Sequence, residues 1–288
     1  MTTQVATARF SVESVHSPDG TVISYRSVGS GGPALLVVPG ALSVAEEFDG
    51  VAAELARHFT VHTIERRGRG ASGPQGAGYG VDAECADIEA VRAATGARLV
   101  FAHSFGAFVT LESALRGSAF DGIALYEPGV SIDGSVPMGW APEAERLLAQ
   151  GKGAEAFLTF VRGINPDTSG KAPRWLLRII LRFVMKKPER LRKHALLGGA
   201  IREHAEAARL DNEYPKYAGL AAPVLLMVGK DETTTGAGRA TVRLAEVFTT
   251  SELVRFPKLD HFGYEKDPAG VAGAVSTFLR GGGRPAAQ

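Results

Sequence analysis

The stretch 99-LVFAHSFGAFV-109 decides the fold. It sets a polar pair, His103 and Ser104, between two apolar runs. The first run is short and rich in residues that suit a buried strand, and the second has the composition of a buried helix. Ser104 therefore sits at a strand-to-helix turn. A serine there can simply cap the helix. It can also be a nucleophile held on a tight elbow, with small residues at Ala102 and Gly106 letting the backbone turn and pack closely. The rest of the chain discriminates between the two.

Outward from this turn, short β-like runs alternate with helical patterns. "RFSVESVH" and "TVISYRSV" alternate apolar and polar residues around the turn "SPDG" and predict an antiparallel opening pair. "ALLVV", "TVHTIE", "RLVFA" and "GIALYE" follow as strands, separated by helical stretches at 45–57, 81–95 and 104–116. The rhythm stops between about 131 and 215, where the patterns are helical. It resumes with "APVLLMVG", a helix near 237–247, "SELVRF" and a last helix at 268–280. This predicts an α/β fold with a mostly parallel eight-stranded sheet flanked by helices. The core would comprise residues 1–130 and 216–280, with a helical lid at 131–215 and a disordered tail at 281–288.

Composition narrows the class. The 288 residues are 45% hydrophobic and 22% charged, with a net charge of +1, as in an ordinary soluble protein with no overall attraction for nucleic acid. The opening "MTTQVATARF" lacks the pattern of a secretory signal. No run is long enough for a membrane span, so no stable membrane insertion is expected. A cytoplasmic location is the expectation. Cys85 is the only cysteine, which rules out an internal disulfide, and its helical spacing with Val81, Ile88 and Val91 predicts a core position. No metal-ligand spacing is present, so neither metal nor cofactor is expected. Gly68, Gly70 and Gly73 match the dinucleotide-binding spacing, but "PQGAGYG" follows where such a site needs a helix, so a structural turn is expected instead.

A serine hydroxyl needs a base, and the base needs an orienting acid. Beyond Ser104 the histidines are His194 and His204, in the helical segment, and His261, in a loop between the last strand and the last helix. His261 is the candidate base. Two acids stand at carboxyl ends of strands, Asp231 after "PVLLMVGK" and Glu127 after "GIALY". Functional residues gather at such edges of open α/β sheets. Asp231 is favoured and Glu127 is the alternative. Asp260 is adjacent to His261, and neighbouring side chains in an extended loop diverge.

Through "VVPGALS", "ERRGRGASG", "AHSFGA" and "VGKDE…DHFGYEKDP", nearly all of residues 20 to 280 apart from the variable lid resembles the α/β-hydrolase superfamily, in particular its small lidded esterase-like and C–C-hydrolase-like members. The resemblance implies a Ser104–His261–Asp231 triad and an oxyanion hole built from the backbone amides of Ala41 and Phe105. Pro39 stands where the pattern usually has histidine, and Glu65 where it usually has aspartate. The implied activity is cleavage of an ester, thioester, lactone or activated C–C bond. Two alternatives stay open: a lyase or cyclase of secondary metabolism, and a non-catalytic ligand-binding protein.

The segment 171–193 carries nine Lys/Arg and one Glu, a local charge of +8, leaving about −7 elsewhere. Arg174, Arg178 and Arg182 line one side of a helix whose other sides are apolar. The basic side is read first as a solvated, snorkelling face and second as a surface for an anionic or lipid-like partner. Leu42 and His103 near the elbow, and Trp175, Ile179 and Phe183 from the lid, are expected to line the pocket. The expected ligand is a hydrophobic small molecule, with anionic forms favoured by the basic segment.

Overall fold

Alternate residues of the central strands point to opposite faces of the sheet, and both faces are apolar. In the computed structural model, which describes residues 9–282, eight strands form one sheet: β1 (Ser11–His16), β2 (Val22–Val28), β3 (Ala34–Val38), β4 (Thr60–Ile64), β5 (Leu99–His103), β6 (Gly122–Tyr126), β7 (Val224–Gly229) and β8 (Ser251–Phe256). The helices are α1 (Asp49–Leu55), α2 (Val81–Thr95), α3 (Ser104–Leu115), α4 (Ala141–Ala149), α5 (Gly153–Ile164), α6 (Arg174–Val184), α7 (Lys187–Arg209), α8 (Gly236–Ala245), α9 (Gly263–Lys266) and α10 (Pro268–Arg280). Leu36, Val38, Val100, Ala102, Ile123 and Leu125 pack with α2, α3 and α8. Their strand neighbours Leu35, Val37, Phe101, Ala124 and Tyr126 pack with α1 and α10 on the other face. Such strands must be buried on both sides, hence their continuous apolar runs.

The sheet order is β1-β2-β4-β3-β5-β6-β7-β8. β1 pairs antiparallel with β2, and β2 with β4, while all other neighbours are parallel. The expected fold class and opening hairpin are therefore observed. The chain steps from β3 outward to β4, then back across to β5 on the other side of β3. That reversal opens a crevice beyond the carboxyl ends of β3 and β5, where ligands bind in such sheets. Ser104 lies at the end of β5.

Between β6 and β7 the chain forms α4 to α7 and no strand. These helices share their own apolar cluster, which includes Trp140, Phe157, Leu197 and Ile201, and which Leu42 joins from the loop after β3. The N-terminal stretch up to residue 8 and the tail beyond residue 282 lie outside the described residues.

Cys85 is buried, and burial pushes its thiol up to about 12, so it stays protonated. The glycine run after β4 is a closed turn. Glu65 accepts a hydrogen bond from the Ala71 amide (2.7 Å). Gly70 adopts φ +50°, and a Cβ there would strike the Glu65 carboxylate.

Candidate active site

Three non-glycine residues with positive φ stand at the carboxyl ends of three neighbouring strands: Leu42 (58°) after β3, Ser104 (51°) after β5 and Glu127 (42°) after β6. Left-handed backbone is costly for such residues and persists where the surroundings enforce it. At Ser104 the enforcement is visible. A Cβ on Gly106 would lie 2.4 Å from the Pro39 carbonyl oxygen and 2.5 Å from that of Val38. Only glycine lets α3 approach β3 this closely, and the resulting turn lifts Ser104 out of the sheet.

Ser104 Oγ lies 3.0 Å from His261 Nε2, and His261 Nδ1 lies 2.6 Å from Glu127 Oε2. The second Glu127 oxygen accepts the Gly229 amide at 2.8 Å. A carboxylate accepts at Nδ1, so that nitrogen carries the proton and Nε2 is left to accept from the serine hydroxyl. The carboxylate is buried, while His261 is partly open to solvent. Glu127, His261 and Ser104 therefore form one continuous relay.

The favoured acid, Asp231, is not part of it. Its carbonyl oxygen takes the amides of Thr234 and Thr235 in the turn leading to α8, and its carboxylate has no hydrogen-bond partner among the described residues. The reason is the order of the strands. β6 is the immediate neighbour of β5, whereas β7 is one strand further away. Glu127 also has one more methylene than aspartate, so it reaches the imidazole from the nearer strand. Gly229 leaves room for it, since a Cβ there would come within 3.0 Å of Glu127 Oε1. Asp260 turns away from His261 and pairs with Lys266.

His103 lies behind the elbow and is buried, not on the pocket wall as expected. Its Nε2 donates to the His261 carbonyl oxygen (2.8 Å), which fixes the loop carrying the imidazole. Its Nδ1 has no partner among the described residues. Burial, with the charge of His261 adding to it, holds His103 well below the ordinary histidine value, so it stays neutral. The consequence for stability has a definite sign. Below about pH 6.5 the unfolded chain binds a proton that folded His103 refuses, so stability is complete above that pH and declines beneath it. The expected loss is up to about 1.4 kcal/mol per pH unit from this residue alone. Urea denaturation at about pH 7.5 and pH 5.5 should show it, and His103→Phe should flatten the slope. An equal slope in that variant would contradict the assignment.

The loop bearing Ala41 is gripped through its carbonyls. Arg66 Nη1 donates to the carbonyl oxygens of Pro39 (3.4 Å) and Gly40 (3.1 Å), Lys193 Nζ to that of Leu42 (3.0 Å) and Arg69 Nε to that of Ser43 (2.8 Å). Arg66 also lies over the Phe105 ring, 4.7 Å from its centre. One guanidinium thus touches both segments whose amides were expected to hold an oxyanion. Neither the Ala41 nor the Phe105 amide donates a hydrogen bond among the described residues.

These cations are buried and paired. Arg66 makes a two-pronged contact with Glu84 (2.6 and 2.9 Å). Arg69 pairs with Glu203 of α7 at 2.7 Å, and Arg66 reaches the same oxygen at 3.2 Å. Burial pushes the Glu203 carboxyl upward, but Arg66 and Arg69 outweigh it and hold it below its ordinary value. The sequence offered one signal for this network, three arginines in the five residues 66–70 at the end of a buried strand. Buried charges of that kind must find partners. Their partner on α7 is more than 130 residues away. Glu203→Leu should destabilise the protein by about 3 kcal/mol, because it strips the buried Arg69 guanidinium of its carboxylate. Urea denaturation measures this, and a loss below about 1 kcal/mol, the range of an exposed pair, would contradict it.

Trp175, Ile179 and Phe183 are not a pocket roof. They are 64%, 45% and 85% exposed, on the outward side of α6. Nearer the relay the insertion supplies Trp140, Phe160 and His204, whose rings pack edge to face. His204 lies close enough to His261 for their charges to oppose one another.

The chain belongs to the alpha/beta hydrolase family, whose sequence profile matches residues 35–274. Among curated proteins it is similar to the N-formylmaleamate deformylase of Pseudomonas putida KT2440, 34% identical over 169 residues. That alignment covers 56% of this chain and 63% of the relative, less than two thirds of the relative's length. Among solved structures it resembles an alpha/beta hydrolase from Sphaerobacter thermophilus, with TM-score 0.74 and 27% identity over 90% of this chain and 99% of that one. The N-formylmaleamic acid deformylase of Pseudomonas putida S16 shares the fold, with TM-score 0.65 and 22% identity over 92% and 100% of the two chains. No helix among the described residues is long and apolar enough to cross a membrane.

Proposed function

We propose that this protein is a serine hydrolase that cleaves an ester or N-acyl amide of a small, largely apolar molecule through Ser104, His261 and Glu127. The observation that carries this reading is the unbroken line of contacts from Glu127 Oε2 through the imidazole to Ser104 Oγ, at 2.6 and 3.0 Å. His261 Nε2 takes the hydroxyl proton as Ser104 Oγ attacks the substrate carbonyl. The same nitrogen then returns the proton to the leaving group, and water repeats the sequence on the acyl-enzyme. Glu127 holds the tautomer and faces the imidazolium that forms. The amides of Ala41 and Phe105 would receive the oxyanion, each contributing about 3 kcal/mol to the transition state.

The substrate class rests on two supports. Leu42, one residue after Ala41, packs in the apolar cluster of the insertion, which supports an apolar wall beside the reacting carbonyl. The relative at 34% identity is named for removing a formyl group from nitrogen, so N-formyl amides belong beside aryl esters among the compounds to try. A panel of 4-nitrophenyl esters and N-formyl amides should give measurable hydrolysis of at least one member. A correctly folded protein that hydrolysed none of them would contradict the assignment.

A further inference from the structure

Helix α6 turns an apolar face outward. At about 100° per residue, Leu177 and Leu181 fall on one side. They pack inward: Leu177 is buried, and Leu181 joins the cluster around Trp140 and Phe157. Trp175, Ile179 and Phe183 recur every four residues along the opposite side and project into solvent, with exposed Ile180 at the edge of the face. A surface helix of a globular protein normally puts its polar residues there.

The surroundings of this face are cationic. Arg174 and Arg178 share Glu155. Arg182, Lys186 and Lys187 have no carboxylate partner among the described residues, and the segment 171–193 carries +8 against about −7 for the rest of the chain.

We propose that α6 and the turn into α7 form an interfacial anchor that docks this hydrolase on an anionic lipid bilayer. Trp175, Ile179 and Phe183 would enter the headgroup boundary, a position tryptophan favours. Arg178, Arg182, Lys186 and Lys187 flank them with aliphatic stems that follow the apolar surface and charged ends that meet lipid phosphates. The opposite charges of the segment and of the remaining chain orient the molecule, drawing this face to the membrane and repelling the others. A two-fold contact with a second copy would instead set Arg182, Lys186 and Lys187 of one copy against the same cations of the other. A small apolar ligand is held in a concave pocket and not on a convex helix. Docking of this kind is peripheral and independent of the Ser104 chemistry.

The chain has two tryptophans. Trp140 is buried and Trp175 is exposed, so a change in emission on binding that is lost in Trp175→Phe reports on α6. The full chain is mixed with vesicles of phosphatidylglycerol or of phosphatidylcholine at low and high salt, and co-sedimentation and emission are recorded. Binding to phosphatidylglycerol at low salt is expected, with a blue shift that Trp175→Phe removes. Ile179→Asp/Phe183→Asp should weaken binding roughly tenfold or more. Arg182→Gln/Lys187→Gln should weaken it about 25-fold, near fivefold per charge. Circular dichroism confirms that these surface variants fold. Failure to bind phosphatidylglycerol at low salt would overturn the proposal, as would equal binding to phosphatidylcholine or undiminished binding by the double aspartate variant. A lipid-free dimer that shields Trp175 from acrylamide would also overturn it and assign the face to a second copy.

Discussion

Ser104→Ala is expected to lower kcat by about 10⁵-fold or more, with KM little changed and the fold intact. Alanine fits the elbow, because nothing in the turn depends on the hydroxyl except the contact with His261. The loss is expected to be large because in the proposed mechanism the hydroxyl is the attacking group and the rest of the machinery acts through it. For the same reason the losses should not add. Ser104→Ala/His261→Ala should be scarcely slower than either single variant. Steady-state turnover of an aryl ester measures this. Substantial residual rate in Ser104→Ala would mean that the reaction bypasses the acyl-enzyme. It would favour a lyase that uses His261 as a base alone.

Glu127→Gln is expected to cost about 10⁴-fold in kcat. The amide preserves size but loses the charge that faces the imidazolium. If it turns its NH₂ toward His261, the histidine must present the wrong tautomer to Ser104. Asp231→Asn should change kcat by no more than about twofold, as expected of a partly exposed side chain outside the relay. The two substitutions separate the acids at the ends of β6 and β7. Reversed sensitivities would restore Asp231 as the orienting acid and require the loop carrying His261 to adopt another arrangement.

The strands of this protein were legible because central parallel strands are buried on both faces. Runs such as "ALLVV" and "PVLLMV" admit no other reading once turn residues bound them. Ser104 was legible for a related reason, since a strand that ends in Ala-His-Ser-Phe-Gly and opens a helix leaves little room for another geometry. His261 followed from its place after the last strand. The acid did not. Sequence shows that Glu127 and Asp231 both end strands, but not that β6 lies beside β5 with β7 beyond it. That order, with the length of the glutamate side chain, brings Glu127 and not Asp231 into contact with His261. Helix α6 failed for a different reason. Its periodicity separates Leu177 and Leu181 from Trp175, Ile179 and Phe183, yet both sets are apolar, and periodicity does not say which of two apolar faces turns inward. The Arg66–Glu203 contact was out of reach because α7 is placed against the core by tertiary packing alone.

The most direct measurement of the central claim is the site and rate of covalent labelling by a fluorophosphonate. The reagent reacts fastest with a serine activated by its base and held beside an oxyanion hole. Intact mass should rise by one phosphonyl group, peptide mapping should place that group on Ser104, and labelling should slow sharply in Glu127→Gln but not in Asp231→Asn. Absence of the adduct from Ser104 in the folded protein, or labelling as fast in Glu127→Gln as in the parent, would contradict a Ser104–His261–Glu127 relay.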